Sequence, residues 1–377
     1  MARTVLANLL NANQVQTGLS GPLRYVWATM EKPVFIGSDI YRTSRFGGKH
    51  PLAIPRVSLT FDLCRAMGWL PADQYIDSPV ATVDQLARFH DRDYIAAVKE
   101  CEETQYAKPE QRARYGLGVG GNPVFGEIFR RPATAVGATL RGIDLLREGG
   151  IVYAPAGGTH HGLKDRASGF CFFNDAVLGI LSALDHGATR VAYLDIDAHH
   201  CDGVELAVGN DPRVFLASVH ERDRWPRTGH ASRPSANIHN FPVAQGFDDK
   251  AFEALMHDEI IPAVSAFAPQ LVIVQCGADA LDADPLSRLS LSNASHARFV
   301  ESIMQLAPRL LVTGGGGYNP WTTARCWTRI WAVLCRKAIP DRIPHLAEKI
   351  MRSVRWNHSR GRTPPETWFT TIADEKS

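Results

Sequence analysis

The chain has 377 residues, of which 45% are hydrophobic and 21% are charged, so it can bury one large α/β core or two ordinary ones. A net charge of +2 argues against a direct nucleic-acid partner, and the lack of any apolar run of about 18 residues excludes a transmembrane helix. The seven cysteines form no CxxC pair and are expected to be reduced thiols. We therefore expect a cytoplasmic protein without a secretion signal or a membrane partner, whose oligomeric state the sequence leaves open.

The first half of the chain contains one clear helical pattern and one long loop. Residues 82–100 read TVDQLARFHDRDYIAAVKE, which predicts a pair of amphipathic helices or one long helix. Residues 108–126 are rich in Gly, Pro and charge, and they are predicted to form a loop.

From residue 151 onward, apolar runs of strand length alternate with helical patterns. The runs IVYAP, VAYL, VFLASVH, LVIVQC and LLVT predict strands, and residues 174–187 predict a helix that ends at Gly187. Such alternation indicates an α/β fold in which helices cover both faces of a central parallel sheet. No linker divides the chain, so we expect a single domain.

Chemically reactive side chains directly follow four of these strands. In parallel sheets, ligands bind outside the carboxyl ends of the strands. We therefore expect the four segments to converge on a single site. They are residues 157–161 (GGTHH), 195–199 (DIDAH), 277–279 (GAD) and 314–318 (GGGGY).

The second of these segments has the residue types of a metal site. In an extended chain Asp195, Asp197 and His199 point to the same side, and Asp279 after another strand can supply a further ligand. Two carboxylates and one imidazole with an open position predict a catalytic Zn²⁺ site, and Fe²⁺ accepts the same ligands. The alternative is that these carboxylates cap helices or pair with arginines. The accompanying His pair and Gly-rich segment favour the metal.

The paired His160 and His161 follow two glycines and suit acid–base chemistry beside a metal, because the histidine pKa lies near neutral pH. Asp195 and Asp202 are available to orient the two imidazoles. Tyr318, carried by a flexible glycine run, is predicted to donate a hydrogen bond to a developing oxyanion. The alternative of a phosphate-binding loop at residues 314–317 is weak, because the lysine and the glycine spacing of such loops are missing.

These segments resemble the histone deacetylase superfamily, and in particular its bacterial acetoin-utilisation-type deacetylases. The resemblance rests on GGTHHGLKDRASGFCFFNDAVLGIL, YLDIDAHHCDGVE, QCGADALDADPLS, GGGGYNPWTTARCW and KHPLAIPRV, and it extends from about residue 47 to about residue 331. It implies an arginase/deacetylase fold with a domain core at residues 47–338, an N-terminal extension 1–46 and a C-terminal extension 339–377. It also implies Zn²⁺-dependent hydrolysis of an acylated lysine-like amine.

The resemblance assigns a role to each matching residue. Asp197, His199 and Asp279 would be the metal ligands, His161 the general base and acid, His160 its electrostatic partner, and Tyr318 the carbonyl-polarising group. Asp195 and Asp202 would orient His160 and His161. Further assignments concern the substrate tunnel (Gly169, Phe170 and Trp225), an inner acetate channel (Arg56) and a structural K⁺ (Asp195, Asp197, His199, Ser218 and Val219).

Departures from the family pattern bear on the substrate. Relatives place an Asp that grips the substrate backbone where this chain has Gly120 and Gly121, with Asn122 the nearest polar side chain. Leu286 replaces the Glu that marks polyamine-preferring relatives. Cys201 and Leu281 stand where arginases need two more carboxylates, which argues against a binuclear manganese site. We interpret Cys201 as inert packing, with a redox-sensitive thiol as the alternative.

The sequence therefore predicts a metal-dependent deacetylase acting on an acylated lysine or another acylated amine. An acetylpolyamine or small-molecule amidohydrolase is the first alternative. A non-catalytic binding module is the second, and the presence of every ligand, of His161 and of Tyr318 disfavours it. The physiological substrate, the acyl chain and the metal used in the cell stay open.

Overall fold

The computed structural model describes residues 32–374, and its centre is a sheet of eight strands in which every neighbouring pair is parallel. The strand order is β2-β1-β3-β8-β7-β4-β5-β6. Four adjacent central strands, β3, β8, β7 and β4, therefore end side by side. The strands are β1 Val34–Gly37, β2 Tyr75–Asp77, β3 Gly150–Ala154, β4 Val191–Asp195, β5 Val214–Glu221, β6 Ile238–Val243, β7 Leu271–Gln275 and β8 Arg309–Thr313.

Helices pack on both faces of this sheet, as predicted. They are α1 Ile40–Thr43, α2 Val57–Ala66, α3 Val83–Leu86, α4 Arg92–Thr104, α5 Pro109–Tyr115, α6 Arg130–Leu145, α7 Asp175–Asp185, α8 Asp202–Val208, α9 Asp249–Leu255, α10 Ile261–Phe267, α11 Asn293–Ile303, α12 Pro320–Leu334, α13 His345–Ser353 and α14 Thr367–Thr370. One apolar core joins the sheet to α2 and to α9–α13, and a second joins its other face to α6, α7 and α8. Within residues 32–374, none of these helices combines the length and the apolar character needed to cross a bilayer.

Among the predictions made for segments outside the sheet, two are confirmed and one is wrong in part. The amphipathic pattern of residues 82–100 is confirmed as the helix pair α3 and α4, and α7 ends just before Gly187, which has a φ of +90°. The loop predicted for residues 108–126 is wrong over Pro109–Tyr115, which forms α5. Proline suits the first helical position, and the Gln111 side chain accepts the Lys108 N–H, so the local residues cap a helix that composition alone hides.

Segments on either side of the family-like core contribute to the same apolar interior. Strand β1 precedes residue 47 and pairs with both β2 and β3. At the other end, the Trp321 indole donates to Met351 O at 3.0 Å, and Arg325 donates to Thr371 O at 2.8 Å. The segment after residue 338 thus packs against α12. The boundaries at 47 and 338 stay a prediction about the family core.

Gly137 in α6 is expected to tolerate no side chain. A Cβ atom at this position would lie 1.9 Å from the carbonyl oxygen of Pro79, which is backbone and has little freedom to move. Although alanine is intrinsically the better helix former, overpacking of this kind costs about 1–3 kcal/mol or more. Gly137→Ala should therefore lower the free energy of unfolding by about 2 kcal/mol, as measured by urea denaturation.

Gly126→Ala is the matched control, because a Cβ there would have no atom within 4 Å. We expect that variant to unfold at the wild-type urea concentration. Equal stability of the two variants would contradict the close packing of α6 against Pro79.

Candidate active site

The polar segments after β3, β4, β7 and β8 converge at the carboxyl edge of the sheet, as expected for parallel strands. One nitrogen of His199 and one carboxylate oxygen each of Asp197 and Asp279 lie within 4.8 Å of one another. His199 Nδ1 lies 2.9 Å from Asp279 Oδ2 and 3.1 Å from Asp197 Oδ1. The structure thus brings the three predicted metal ligands together.

Both carboxylates of this triad are buried and held by fixed hydrogen bonds. Asp197 Oδ2 accepts hydrogen bonds from the Gln275 amide at 2.9 Å and from Gly316 N–H at 2.7 Å. Asp279 Oδ1 accepts the N–H of Ala198 at 2.9 Å. Burial and the nearby charge of Asp197 raise the pKa of Asp279 to about 6. The two carboxylates therefore repel each other, and each already accepts hydrogen bonds from fixed N–H groups.

The local backbone differs from the extended chain that we predicted for residues 195–199. Strand β4 ends at Asp195, and the chain then bends. Asp195 Oδ1 accepts the N–H of Asp197, and Asp197 Oδ1 accepts the N–H of His199, each at 3.0 Å. Asp195 and Asp197 both lie beside His160, with Asp197 Oδ1 3.9 Å from His160 Nε2, and His199 contacts Asp279. The prediction of an extended chain over residues 195–199 is therefore wrong, because the strand ends at Asp195.

The glycines around the triad are needed for space. A Cβ at Gly316 would lie 2.1 Å from Asp279 Oδ2, and one at Gly277 would lie 2.1 Å from Asp197 Oδ2. The backbone of the 314–317 segment thus passes in contact with the ligands. Its role is to allow this close approach, and the flexible run that we predicted is not what the contacts indicate.

The paired histidines each contact one carboxylate. His160 Nδ1 lies 2.8 Å from Asp195 Oδ2, and His161 Nδ1 lies 2.7 Å from Asp202 Oδ1. Burial and the neighbouring His160 lower the pKa of His161 to about 3. Burial also disfavours charge on His160, but Asp195 and Asp197 outweigh it and raise the pKa of His160 to about 9. These shifts favour the charged form of His160 and the neutral form of His161.

Two residues that we did not predict hold the histidine loop in place. Asp175 accepts hydrogen bonds from the N–H groups of Gly158 and Thr159, at 3.0 and 2.7 Å. Asn174 caps α7 and donates from its side chain to the carbonyls of His160 and Gly162. The only sequence signal for these two residues is that they lie next to each other at the start of a helix. That signal indicates a helix cap and does not indicate a contact with the histidine loop.

His90 secures the same loop from the outside and is expected to make stability depend on pH. Its Nδ1–H donates to Leu163 O at 2.9 Å, and its Nε2 accepts Asn174 N–H at 2.9 Å, so the neutral ring is required. Burial lowers the pKa of His90 to about 4. Its contribution to stability is therefore complete above pH 6.5 and is lost as the pH falls toward 4. At about 1.4 kcal/mol per pKa unit, this loss is on the order of 3 kcal/mol.

The measurement is the free energy of unfolding of wild type and His90→Gln, by urea denaturation between pH 7.5 and 4. The difference between the two proteins should be largest at pH 7.5 and should shrink on acidification, because only the wild type loses the contribution of His90. A difference that does not change with pH would contradict the neutral role of this ring.

Tyr318 and Arg56 lie beside a small inner cavity next to the triad. This cavity of about 50 Å³ is lined by both residues and by His160, His161, Asp197 and Phe170, among others. Burial, together with Asp279 and Asp197, raises the pKa of the Tyr318 phenol well above its usual value, so the hydroxyl keeps its proton. Tyr318 N–H donates to Asp284 Oδ2 at 2.6 Å, a support that the sequence did not reveal. Arg56 donates to Gly315 O at 2.7 Å.

A larger cavity of about 880 Å³ opens from the triad to the surface. Of the five residues predicted to contact the substrate, all except Arg56 line this cavity: Gly169, Phe170, Trp225 and Leu286. His161, His199 and Tyr318 line it as well. The Trp225 ring is 46% exposed and lies edge-on to His161, with ring centroids 4.6 Å apart. The Phe170 ring lies 5.9 Å from the Tyr318 ring. Asn122 Oδ1 accepts Phe170 N–H at 2.9 Å, so this side chain is already partnered.

The remaining predicted residues lie behind the triad. Asp195 pairs in register with Ser218 on β5, and Val219 follows, so the residues proposed for K⁺ lie close together; the ion itself stays a prediction. Cys201 is fully buried in the second core, and burial raises the pKa of its thiol. These two observations favour packing for Cys201. Leu281 is buried as well.

Comparison with known proteins identifies the class to which this fold and site belong. Residues 50–334 match the family model described as the histone deacetylase domain. Histone deacetylase 9 of Arabidopsis thaliana is 37% identical over 309 residues, which cover 79% of this chain and 72% of that protein. The acetoin utilization protein AcuC of Bacillus subtilis (strain 168) is 33% identical over 321 residues, which cover 80% and 82%.

The solved structures agree with the sequence comparison. The crystal structure of an HDAC homolog from Aquifex aeolicus superposes with a TM-score of 0.85 at 32% identity, covering 92% of this chain and 95% of that one. The chain belongs to the histone deacetylase family and has its arginase/deacetylase fold. It is a deacetylase, as the sequence predicted.

Proposed function

We propose that this chain is a metal-dependent hydrolase that removes acetyl groups from lysine-like amines. The observation that carries the proposal is the meeting of one His/Asp/Asp ligand set, one carboxylate-held imidazole and one buried phenol around a single cavity. Each of these groups has a part in hydrolysing an amide, and the cavity connects them to the surface.

The residues present fit a divalent cation. Asp197 and Asp279 are buried carboxylates that repel each other, and burial of such charges is costly unless they are paired or bind a metal. One nitrogen and two oxygens form a set that Zn²⁺ and Fe²⁺ both accept, and we propose Zn²⁺. When bound, the ion supplies electrophilic activation of the acyl carbonyl and of the attacking water.

His161 is placed to move the proton during hydrolysis. With Nδ1–H donated to Asp202, the Nε2 atom is free to accept a proton from the attacking water. The low pKa of His161 keeps this ring neutral before the reaction. Nε2 then returns the proton to the leaving amine. His160, held cationic by Asp195, lies 3.9 Å away between ring centroids and favours the neutral state of His161.

The other proposed roles concern the substrate. The protonated Tyr318 hydroxyl donates a hydrogen bond to the oxygen of the reacting carbonyl. Phe170 and Trp225 line the cavity with Gly169 between them, and a Cβ at Gly169 would lie 2.5 Å from the Trp225 ring. This arrangement suits a narrow methylene stem. Arg56 is proposed to serve the inner cavity, where the released acid leaves.

One observation favours a second candidate, a small-molecule N-acyl amidohydrolase. Gly120 at the edge of the cavity and Gly121 beside the Phe170 ring offer no side chain to hold a peptide backbone, and the Asn122 side-chain oxygen already accepts the Phe170 N–H. The absence of disulfides among the seven cysteines supports a reducing compartment such as the cytoplasm for either function.

The test is deacetylation by the purified protein of an acetyl-lysine peptide and of acetylputrescine. We expect turnover of the peptide, loss of turnover after treatment with a chelator, and recovery on addition of Zn²⁺ or Fe²⁺. Preferred hydrolysis of acetylputrescine would select the second candidate. Stoichiometric metal without any chelator-sensitive deacetylation would overturn the proposed function.

A further inference from the structure

The outer part of the large cavity carries a surplus of positive charge. Its lining residues include four arginines, Arg166, Arg222, Arg224 and Arg227, and two carboxylates, Glu221 and Asp223. Arg224 is neutralised by Glu221, which accepts from both its Nε and Nη2 atoms. In the part of the chain that the structure describes, the other three arginines form no ion pair, and they are exposed. Asp223, 4.0 Å from His230 Nδ1, is the only other lining carboxylate among residues 32–374.

These arginines surround the entrance from two segments. Arg222 and Arg227 flank Trp225, whose ring contacts His161, and Arg166 lies on the loop that follows His161. Val119, Gly120 and Leu286, which also line the cavity, bring no charge to offset them. A substrate that reaches the triad must therefore pass unpaired guanidinium groups.

We infer that this entrance selects acylated lysines whose neighbouring residues are acidic, an inference that rests on the proposed hydrolysis of acyl-lysine. Carboxylates next to the acylated side chain gain a favourable field from Arg166, Arg222 and Arg227. Basic protein tails and cationic acetylpolyamines are repelled by the same field. A cleft lined by one sign of charge raises the local concentration and the association rate of oppositely charged ligands, and salt screens the effect.

The experiment uses the metal-loaded enzyme and three peptides that share one acetyl-lysine, flanked by Asp, Ser or Lys residues. At low ionic strength we expect kcat/KM to be about 10-fold or more higher for the Asp peptide than for the Lys peptide, with the Ser peptide between them. The ratio should fall several-fold at about 1 M salt, where the Debye length is about 3 Å. Acetylputrescine should behave like the Lys peptide.

The variant Arg166→Gln/Arg227→Gln removes two of these charges. Within residues 32–374 the backbone groups of both residues form hydrogen bonds, whereas neither guanidinium group does. We expect the variant to bring the Asp-to-Lys ratio of kcat/KM to within about threefold of unity. The matched control, Arg141→Gln/Arg147→Gln, removes the same amount of charge. Arg141 lies in α6 and Arg147 in the segment before β3, near the amino edge of the sheet and away from the carboxyl edge that carries the site. This control should keep the wild-type ratio.

The outcomes separate this inference from the proposed function. Turnover of the Ser peptide with no preference between the Asp and Lys peptides, or an equal effect of the control variant, would overturn the inference and leave the function in place. A higher kcat/KM for the Lys peptide than for the Asp peptide would also overturn the inference. Failure to hydrolyse all three peptides would overturn the proposed function, and the inference would fall with it.

Discussion

His161→Asn is expected to lower kcat by about 10² to 10⁴, the range of a lost general base and acid. The asparagine amide can still donate to Asp202, which His161 Nδ1 contacts at 2.7 Å, so the loop should keep its position. What the variant lacks is the Nε2 atom that we propose to accept and return the proton. The measurement is kcat on an acetyl-lysine peptide together with the metal content of the purified variant, which we expect to match wild type.

His186→Asn provides the control for this variant. His186 follows α7 at the far end of that helix from the cavity, and its Nε2 lies 3.7 Å from Asp144. This variant should retain wild-type turnover. A His161→Asn enzyme that binds metal normally and loses less than about tenfold in kcat would show that another group carries the proton.

Tyr318→Phe is expected to lower kcat by about 10² to 10³, the scale measured for loss of one oxyanion donor. The backbone N–H of residue 318 would still donate to Asp284, so the segment should stay in place and metal content should not change. KM should change little, because the role proposed for the phenol is to stabilise the charge that develops in the transition state.

Tyr106→Phe makes the same chemical change at a side chain that is 57% exposed, and it should leave kcat unaltered. Full activity of Tyr318→Phe would show that the phenol takes no part in the reaction and that it is not the hydrogen-bond donor to the carbonyl oxygen.

The sequence predicted the convergence of the site because it needs only one topological assumption. Segments that follow parallel strands meet at one edge of the sheet, whatever the strand order. The order itself could not be read from the sequence, yet it explains why the convergence is so close: β3, β8, β7 and β4 are consecutive neighbours. Asp197, His199 and Asp279 were thus predictable as a group.

The supporting residues were missed because their roles depend on tertiary proximity. Asp175 lies in the first turn of α7, where acidic residues are common for local reasons. Its contacts with Gly158 and Thr159 exist only because the loop after β3 folds back over that turn. Gln275 gave a signal that could have been used: an amide inside the apolar strand LVIVQ needs a buried partner, which is Asp197.

The bends after Asp195 show a second limit. Successive side chains point to opposite faces of a sheet only while the chain stays extended. Asp side chains that accept nearby backbone N–H groups turn the chain and end this alternation. Asp195 and Asp197 do so at successive turns. A run of Asp at a strand end therefore predicts a turn as strongly as it predicts a shared face.

The small size of the inner cavity bears on the acid that the proposed reaction releases. Its volume of about 50 Å³ is a few times the ~10–15 Å³ that a cavity needs to hold one water molecule. A methyl group fits that space, whereas we expect the tail of a hexanoyl amide to require displacement of Leu52 or Phe170 from its boundary. The cavity would thus favour the release of a two-carbon acid over that of a longer one.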